Sequence, residues 1–203
     1  MAVNGKGGGH RQRQAESTRQ QIAHAARALF AERGYLGTTI TAIAEAADIP
    51  APTIYSAFGS KGRILEKITQ NWMQESRTVS IAAASLAEKD PGRQLRLFAE
   101  LNRRQLDVGS DVIAIYQEAA RSDVQMAGTQ RKILASREGE IRRLIDVLGP
   151  NLKPELTAHS ALDVCLACTV PEIYRTLVAE RGWTPQRYER WLGDLLVEQL
   201  LPR

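Results

Sequence analysis

Apolar residues recur along this chain at three- and four-residue intervals and never settle into period-two alternation, so the pattern predicts an all-α fold of nine helices. Ile22, Ala25, Ala26, Leu29 and Phe30 share one face of a first helix. Its start is expected at Ser17 or Thr18, since Ser17 and Gln20 have capping-box spacing, and its end at Gly34. Thr39 is a suitable N-cap for a second, very short helix that buries Ile40, Ile43, Ala44 and Ala47. Asp48 marks a tight break, because Asp tolerates the left-handed conformation better than most residues. Two prolines follow. A residue before proline avoids the helical region, which makes Ala51 a cap and Pro52 the first residue of a third helix reaching about Ala57. Gly59 stops that helix and Ser60 caps the next.

From Lys61 the helices lengthen. Ile64, Leu65, Ile68, Trp72 and Val79 form the buried stripe of a helix expected to reach Glu88, before the Asp90-Pro91-Gly92 break. Leu95, Leu97, Phe98 and Leu101 make a further cluster, and Val112, Ile115, Tyr116 and Ala119 mark a separate helix over 111–121. A helix over 124–148 ends at Gly149-Pro150, and the last two run over about 155–180 and 184–201. Helices as short as the second and third do not persist alone, because nucleation is costly and few bonds follow it. The common use of two short crossed helices is to place the second in the major groove of DNA.

Charge supports that reading. Residues 1–70 hold 9 Lys and Arg against 5 Asp and Glu, while residues 71–203 hold 18 against 18, so the whole formal excess of +4 lies with the short helices. Residues 1–16 are Gly-rich and basic without apolar periodicity, and read as a flexible arm. Arg11, Arg13 and Arg19 reach a phosphate or minor groove if DNA is the partner, and otherwise belong to a solvated tail. No run approaches the roughly 18 apolar residues of a membrane span, and the start lacks a signal peptide's apolar core, so a cytoplasmic location is expected.

Catalytic chemistry has little support. No nucleophile elbow, phosphate-binding loop or carboxylate pair stands out, and His10, His24 and His159 are scattered. The chain is expected to be no enzyme and to need no cofactor or metal. Cys165-x-x-Cys168 has redox and zinc spacing, but it lies in an apolar helix with no second pair, which favours buried cysteine with a redox sensor as the alternative.

Residues 18–70 resemble the DNA-binding domain of the tetracycline-repressor (TetR-like) family of bacterial transcription regulators. The matching residues are Ala28 to Tyr35, Thr38-Thr39-Ile40, Ile43-Ala44, Ala47, Thr53-Ile54-Tyr55, Phe58, Lys61 and Leu65. The resemblance implies a flexible basic arm over 1–16, a helix-turn-helix DNA-binding domain over 17–62, and a regulatory and dimerisation domain over 63–203. It implies that Tyr55 and Lys61 hold DNA phosphates, that Thr41 and Thr53 donate hydroxyl hydrogen bonds, and that Pro50, Ala51, Pro52, Thr53, Ser56 and Ala57 face base edges. Lys61 at a helix start opposes the helix dipole, which a nearby phosphate would explain. The family usually has Gly at Asp48 and commonly at Pro52. The base-facing set contains no Arg, Asn or Gln, the side chains suited to bidentate base pairing, so direct readout should be modest.

The same resemblance implies a homodimer and a small-molecule effector. Candidate pocket residues are Trp72, Met73, Phe98, Leu101, Tyr116 and Met126, each with ordinary core packing as the competing reading. Candidate interface residues are Leu162, Leu166, Val170, Ile173, Leu177, Leu192, Leu195 and Leu196. The expected function is a repressor that binds palindromic duplex DNA and is released by its ligand. The alternatives are an activator, a regulator with a protein partner, or a small-molecule-binding helical protein with a degenerate head.

Overall fold

The computed structural model describes residues 7–202, which form ten α-helices and no strand. In chain order they are α1 Gly7–Gly37, α2 Ile40–Ala47, α3 Ala51–Phe58, α4 Lys61–Glu75, α5 Val79–Ala87, α6 Pro91–Ser122, α7 Val124–Leu148, α8 Ala158–Cys168, α9 Pro171–Tyr174 and α10 Pro185–Leu200. A 3₁₀ turn, Gly149–Asn151, follows α7, and α9 continues as a π-helical stretch, Arg175–Glu180.

The expected arm over 1–16 is corrected for its second half. Residues 1–6 lie outside the described residues, but α1 is already helical at Gly7. Arg, Gln, Ala and Glu over residues 11–16 are good helix formers, and the glycine run before them hid this. Ser17 is therefore no N-cap. Thr18 Oγ1 bonds back to the Gln14 carbonyl (3.0 Å), as a hydroxyl does inside a helix, and Gln20 bonds Glu16 (3.0 Å). Glu16 also pairs with Lys67 at 2.5 Å, and Asn71 donates to Gln20 at 2.6 Å, tying α1 to α4.

Three further boundaries differ from the sequence pattern. The helix expected to run from Lys61 to Glu88 breaks at Ser76-Arg77-Thr78, where Arg77 takes φ 51° and Ser76 bonds the Met73 carbonyl. The helices expected around Phe98 and over 111–121 join as α6, kinked at Gly109. The expected helix over 155–180 breaks at Thr169-Val170, because Pro171 has no N–H to continue it.

The chain divides into two compact units. One runs to Asn71 and includes Ala114–Gly128; the other comprises Trp72–Ile113 and the chain from Thr129. The core of the first is built on Ile22, Phe30, Ile43, Ile54, Ile64, Leu65 and Ile68. In the second, Leu95, Ile141, Ile145, Leu148, Leu192 and Leu196 form the centre, with Tyr188 buried and donating to Asn102 Oδ1 at 2.9 Å. No described helix is long and apolar enough to cross a membrane.

Candidate nucleic-acid interface

The turn between α2 and α3 forms as its residues dictate. Thr39 Oγ1 accepts from Ala42 N at 3.1 Å to start α2, and Asp48 ends it in the left-handed region (φ 51°, ψ 44°). The helix starts one residue earlier than expected, so Pro52 falls one place later in it. Pro50 is the N-cap, Ala51 the first residue of α3, and Pro52 the second. All three sit where helix N–H groups lack intrahelical partners, so the missing donors cost no helical bond.

One fully buried side chain anchors α3, and one face of the helix is open. Ile54 is 1% exposed, whereas Tyr55 is 56% exposed. Pro52, Thr53 and Ser56 are exposed with Tyr55, as are Pro50 before the helix and Thr41 on α2, while Ala51, Ala57 and Phe58 are half-buried. An exposed tyrosine between two hydroxyl side chains is suited to phosphate and base-edge contact.

The structure adds Gln14 and Thr18 to the arginines named from the sequence. Arg11, Gln14, Thr18 and Arg19 on α1 line one groove together with Thr53, Ser56 and Ala57 on α3. Arg19 Nη2 approaches the Ala57 carbonyl at 3.5 Å. Two guanidinium groups and an amide therefore flank a recognition helix that has none of its own. The signal for Gln14 was helix propensity over residues 11–16.

Lys61 is placed differently from the expectation that it holds a phosphate. Its Nζ donates to the carbonyls of Tyr35 (2.6 Å) and Thr38 (3.0 Å) and lies 4.2 Å from the Tyr35 ring centroid. Burial draws its pKa below the ordinary lysine value, against the opposing charges of Glu118 and Asp123. Carbonyl oxygens, then, offset the dipole penalty of a cation at a helix start. From the other side, the Glu118 carboxylate accepts from Tyr35 N (3.0 Å) and Leu36 N (3.1 Å), and these two bonds hold its pKa below the usual carboxylate range. The segment from Tyr35 to Thr38, which follows the break at Gly34 inside α1, is thus clamped on its N–H groups by Glu118 and on its carbonyls by Lys61. Nothing local in the sequence pointed to Glu118, which lies more than eighty residues from Tyr35.

Residues 22–68, spanning α1 to α4, match the family model described as bacterial regulatory proteins, tetR family. Over 183 residues the chain is 28% identical to the HTH-type transcriptional repressor KstR2 of Rhodococcus jostii, covering 89% of this chain and 83% of that protein. It is 26% identical over 194 residues to KstR2 of Mycolicibacterium smegmatis, covering 92% and 86%. The chain thus matches the tetR family over its N-terminal helices and is similar to the KstR2 repressors over most of its length. Its fold is shared with NalD, the secondary repressor of the MexAB-OprM multidrug efflux pump in Pseudomonas aeruginosa, at TM-score 0.73 and 20% identity over 93% of this chain and 98% of that one. The transcriptional regulator FadR from Bacillus subtilis, solved in complex with stearoyl-CoA, superposes at TM-score 0.69 and 19% identity over 88% and 97%. This chain is a DNA-binding transcription regulator.

With Thr53 and Ser56 as the polar groups on the exposed face of α3, placing an arginine there is expected to create a guanine preference. Selection from random duplexes should give Ser56→Arg a motif with a new guanine, whereas an unchanged motif would mean that Ser56 does not face bases.

The second unit of the regulator holds a cavity of about 280 Å³. Met73, Phe98 and Leu101 line it, with Val79, Leu86, Ile141 and Leu144. The other three candidate pocket residues lie elsewhere. Trp72 donates to the Gln105 carbonyl at 2.8 Å and presses on Gly109, where a Cβ would run into the indole ring. The absence of a side chain at Gly109 thus lets the ring into the α6 kink. Tyr116 and Met126 belong to the first unit, and the Met126 methyl fills the space above Gly62. Apolar periodicity marks these residues as buried without saying in which unit.

The candidate interface residues divide in the same way. Leu162, Leu192 and Leu196 are fully buried in the core of their own unit, which corrects their placement at an interface. Leu166, Val170, Ile173, Leu177 and Leu195 keep part of their surface exposed. Cys165 is fully buried, and burial pushes its thiol up to about 12 and raises that of Cys168. Thiols held in that form are poor nucleophiles, and Cys165 packs as a small apolar side chain of the core.

Proposed function

We propose that this regulator is a repressor that binds a palindromic operator as a homodimer and leaves it when a small molecule enters the cavity of the second unit. The observation that carries the DNA half is the open face of α3, with Thr53, Tyr55 and Ser56 beside Arg11, Gln14 and Arg19. Tyr55 and the α1 arginines hold phosphates, while Thr53, Ser56 and Gln14 contact base edges beside Pro50, Ala51, Pro52 and Ala57. Thr41 adds a hydroxyl from α2. KstR2, matched over most of this chain, is itself a repressor. Two copies on a palindrome double the phosphate contacts and read both half-sites.

Support for the dimer comes from Leu166, Val170, Ile173, Leu177 and Leu195, which leave apolar surface uncovered in the protomer. Support for the effector comes from the mixed lining of the cavity, apolar walls with a few polar groups, which is the usual character of a small-molecule site. The cytoplasm is the compartment in which such a protein meets its DNA.

The test is binding to duplex from the region upstream of the protein's own gene. Two protomers are expected per operator, and a duplex cut to one half-site should bind at least tenfold more weakly. Negligible affinity for any duplex at low salt would leave the alternative of a small-molecule-binding protein with a degenerate head.

A further inference from the structure

The cavity of the second unit is lined by a cation that has more hydrogen-bond donors than its packing uses. Its walls are Val79, Leu86, Phe98, Leu101, Ile141 and Leu144, and Arg137 on α7 lines it among them. Arg137 is half-buried. Its Nη2 donates to the Thr169 carbonyl (2.8 Å) and to Thr169 Oγ1 (2.5 Å), at the C-terminal end of α8. These bonds fix the guanidinium plane and use only one of its three nitrogens. Nε and Nη1 carry three more donors with no protein partner among the described residues, and neither is sealed away from solvent.

A carboxylate partner is also missing. Elsewhere in this unit Arg103 pairs with Glu189 at 2.9 Å and Arg104 with Glu100 at 2.9 Å, so ion pairing is the rule for arginines drawn in from water. Among the described residues no acidic group lies within ion-pair distance of Arg137. Glu140 opens on the same cavity, but it is exposed and unpaired with Arg137. Burial lowers the Arg137 pKa, yet a guanidinium remains charged at any physiological pH. Capping α8 is a sufficient reason for a cation at this end of the helix, but it does not need the remaining donors. A charge withdrawn into apolar surroundings without its counter-charge carries a desolvation penalty that an arriving anion removes.

We infer that the effector is an apolar molecule bearing one carboxylate, and that Arg137 binds that carboxylate while Phe98, Leu101 and the other walls take the apolar body. The inference rests on the proposal that this cavity is the effector site. A single negative charge matches the lining, where Arg137 and Arg143 face one Glu140. With Nη2 held by Thr169, Nε and Nη1 are the groups that meet the carboxylate oxygens, through charge-assisted bonds.

Calorimetry on the full-length protein with two matched pairs of probes tests this: decanoate against 1-decanol, and 2-naphthoate against 2-naphthalenemethanol. In at least one pair the carboxylate should bind at least tenfold more tightly than the alcohol, as expected for about one charge-assisted hydrogen bond to a half-buried guanidinium. Arg137→Ala should reduce the carboxylate affinity by about tenfold to a hundredfold, and Arg137→Lys should recover part of the loss. Should Arg137→Ala fail to fold, the wild-type preference within each pair decides alone. An alcohol that binds as tightly as its carboxylate, with binding blocked by Leu101→Trp, keeps the cavity as the effector site and overturns the anion inference. If no probe binds, or if binding is indifferent to Leu101→Trp, the cavity reading falls with it.

Discussion

Replacing Lys61 by methionine is expected to destabilise the first unit by about 2–3 kcal/mol and to leave the salt dependence of DNA binding unchanged. The stem length is kept, so the loss is that of the ammonium. Two hydrogen bonds from a charged donor disappear, to the carbonyls of Tyr35 and Thr38, together with the cation's interaction with the Tyr35 ring. Each such bond contributes about 1.5–3 kcal/mol in a buried setting, and the half-exposed position of Lys61 reduces the sum. Urea unfolding followed by helicity gives the stability, and a filter-binding series gives the slope against salt. Unchanged stability with a shallower slope would show instead that Lys61 meets a phosphate, as the family resemblance implies.

Gly34→Ala should cost more, about 3–5 kcal/mol, which is a large part of the stability of an ordinary domain. Gly34 adopts φ 77° and ψ 162°, a region that is essentially closed to residues with a Cβ and costs about 1–3 kcal/mol to impose. A Cβ there would also lie 2.8 Å from Glu118 Oε1 and 3.0 Å from Oε2. The carboxylate must then move, releasing the N–H groups of Tyr35 and Leu36, for about 1.5–3 kcal/mol more. Because both losses pass through the same carboxylate, combining Gly34→Ala with Glu118→Ala should cost less than the sum of the two. A loss under about 1 kcal/mol for Gly34→Ala would mean that the chain around the Gly34 break has another conformation of equal energy.

Where one residue's chemistry fixes the backbone, the sequence was a good guide. Thr39, Asp48, Gly59 and Thr184 sit at the helix ends that their side chains or freedom of φ require. The helical periodicity likewise placed Ile22, Phe30, Ile43 and Leu65 in a core. Less was legible where the deciding group is remote. The carbonyls that receive Lys61 belong to residues 35 and 38, and the carboxylate that holds the same segment belongs to residue 118. Periodicity also cannot separate a leucine buried in its own unit from one left for a partner, so Leu192 and Leu195 looked alike. Glycines at the start of α1 masked a helix that the residues after them support. Arg137 had no signature in the sequence, because its bonding to Thr169 rather than to a carboxylate is a property of the packing.

In the proposed complex, DNA binds across α3 and the beginning of α1. The most direct measurement of that contact is the salt dependence of operator binding for the wild type and for the Arg11→Gln, Arg19→Gln double variant. The logarithm of affinity is expected to fall linearly with the logarithm of salt concentration. For the variant the slope should be shallower by about 0.9 for each phosphate that an arginine no longer neutralises. At equal salt the variant should bind at least tenfold more weakly while unfolding at the same urea concentration. An unchanged slope and affinity in the double variant would place the DNA elsewhere and contradict the account.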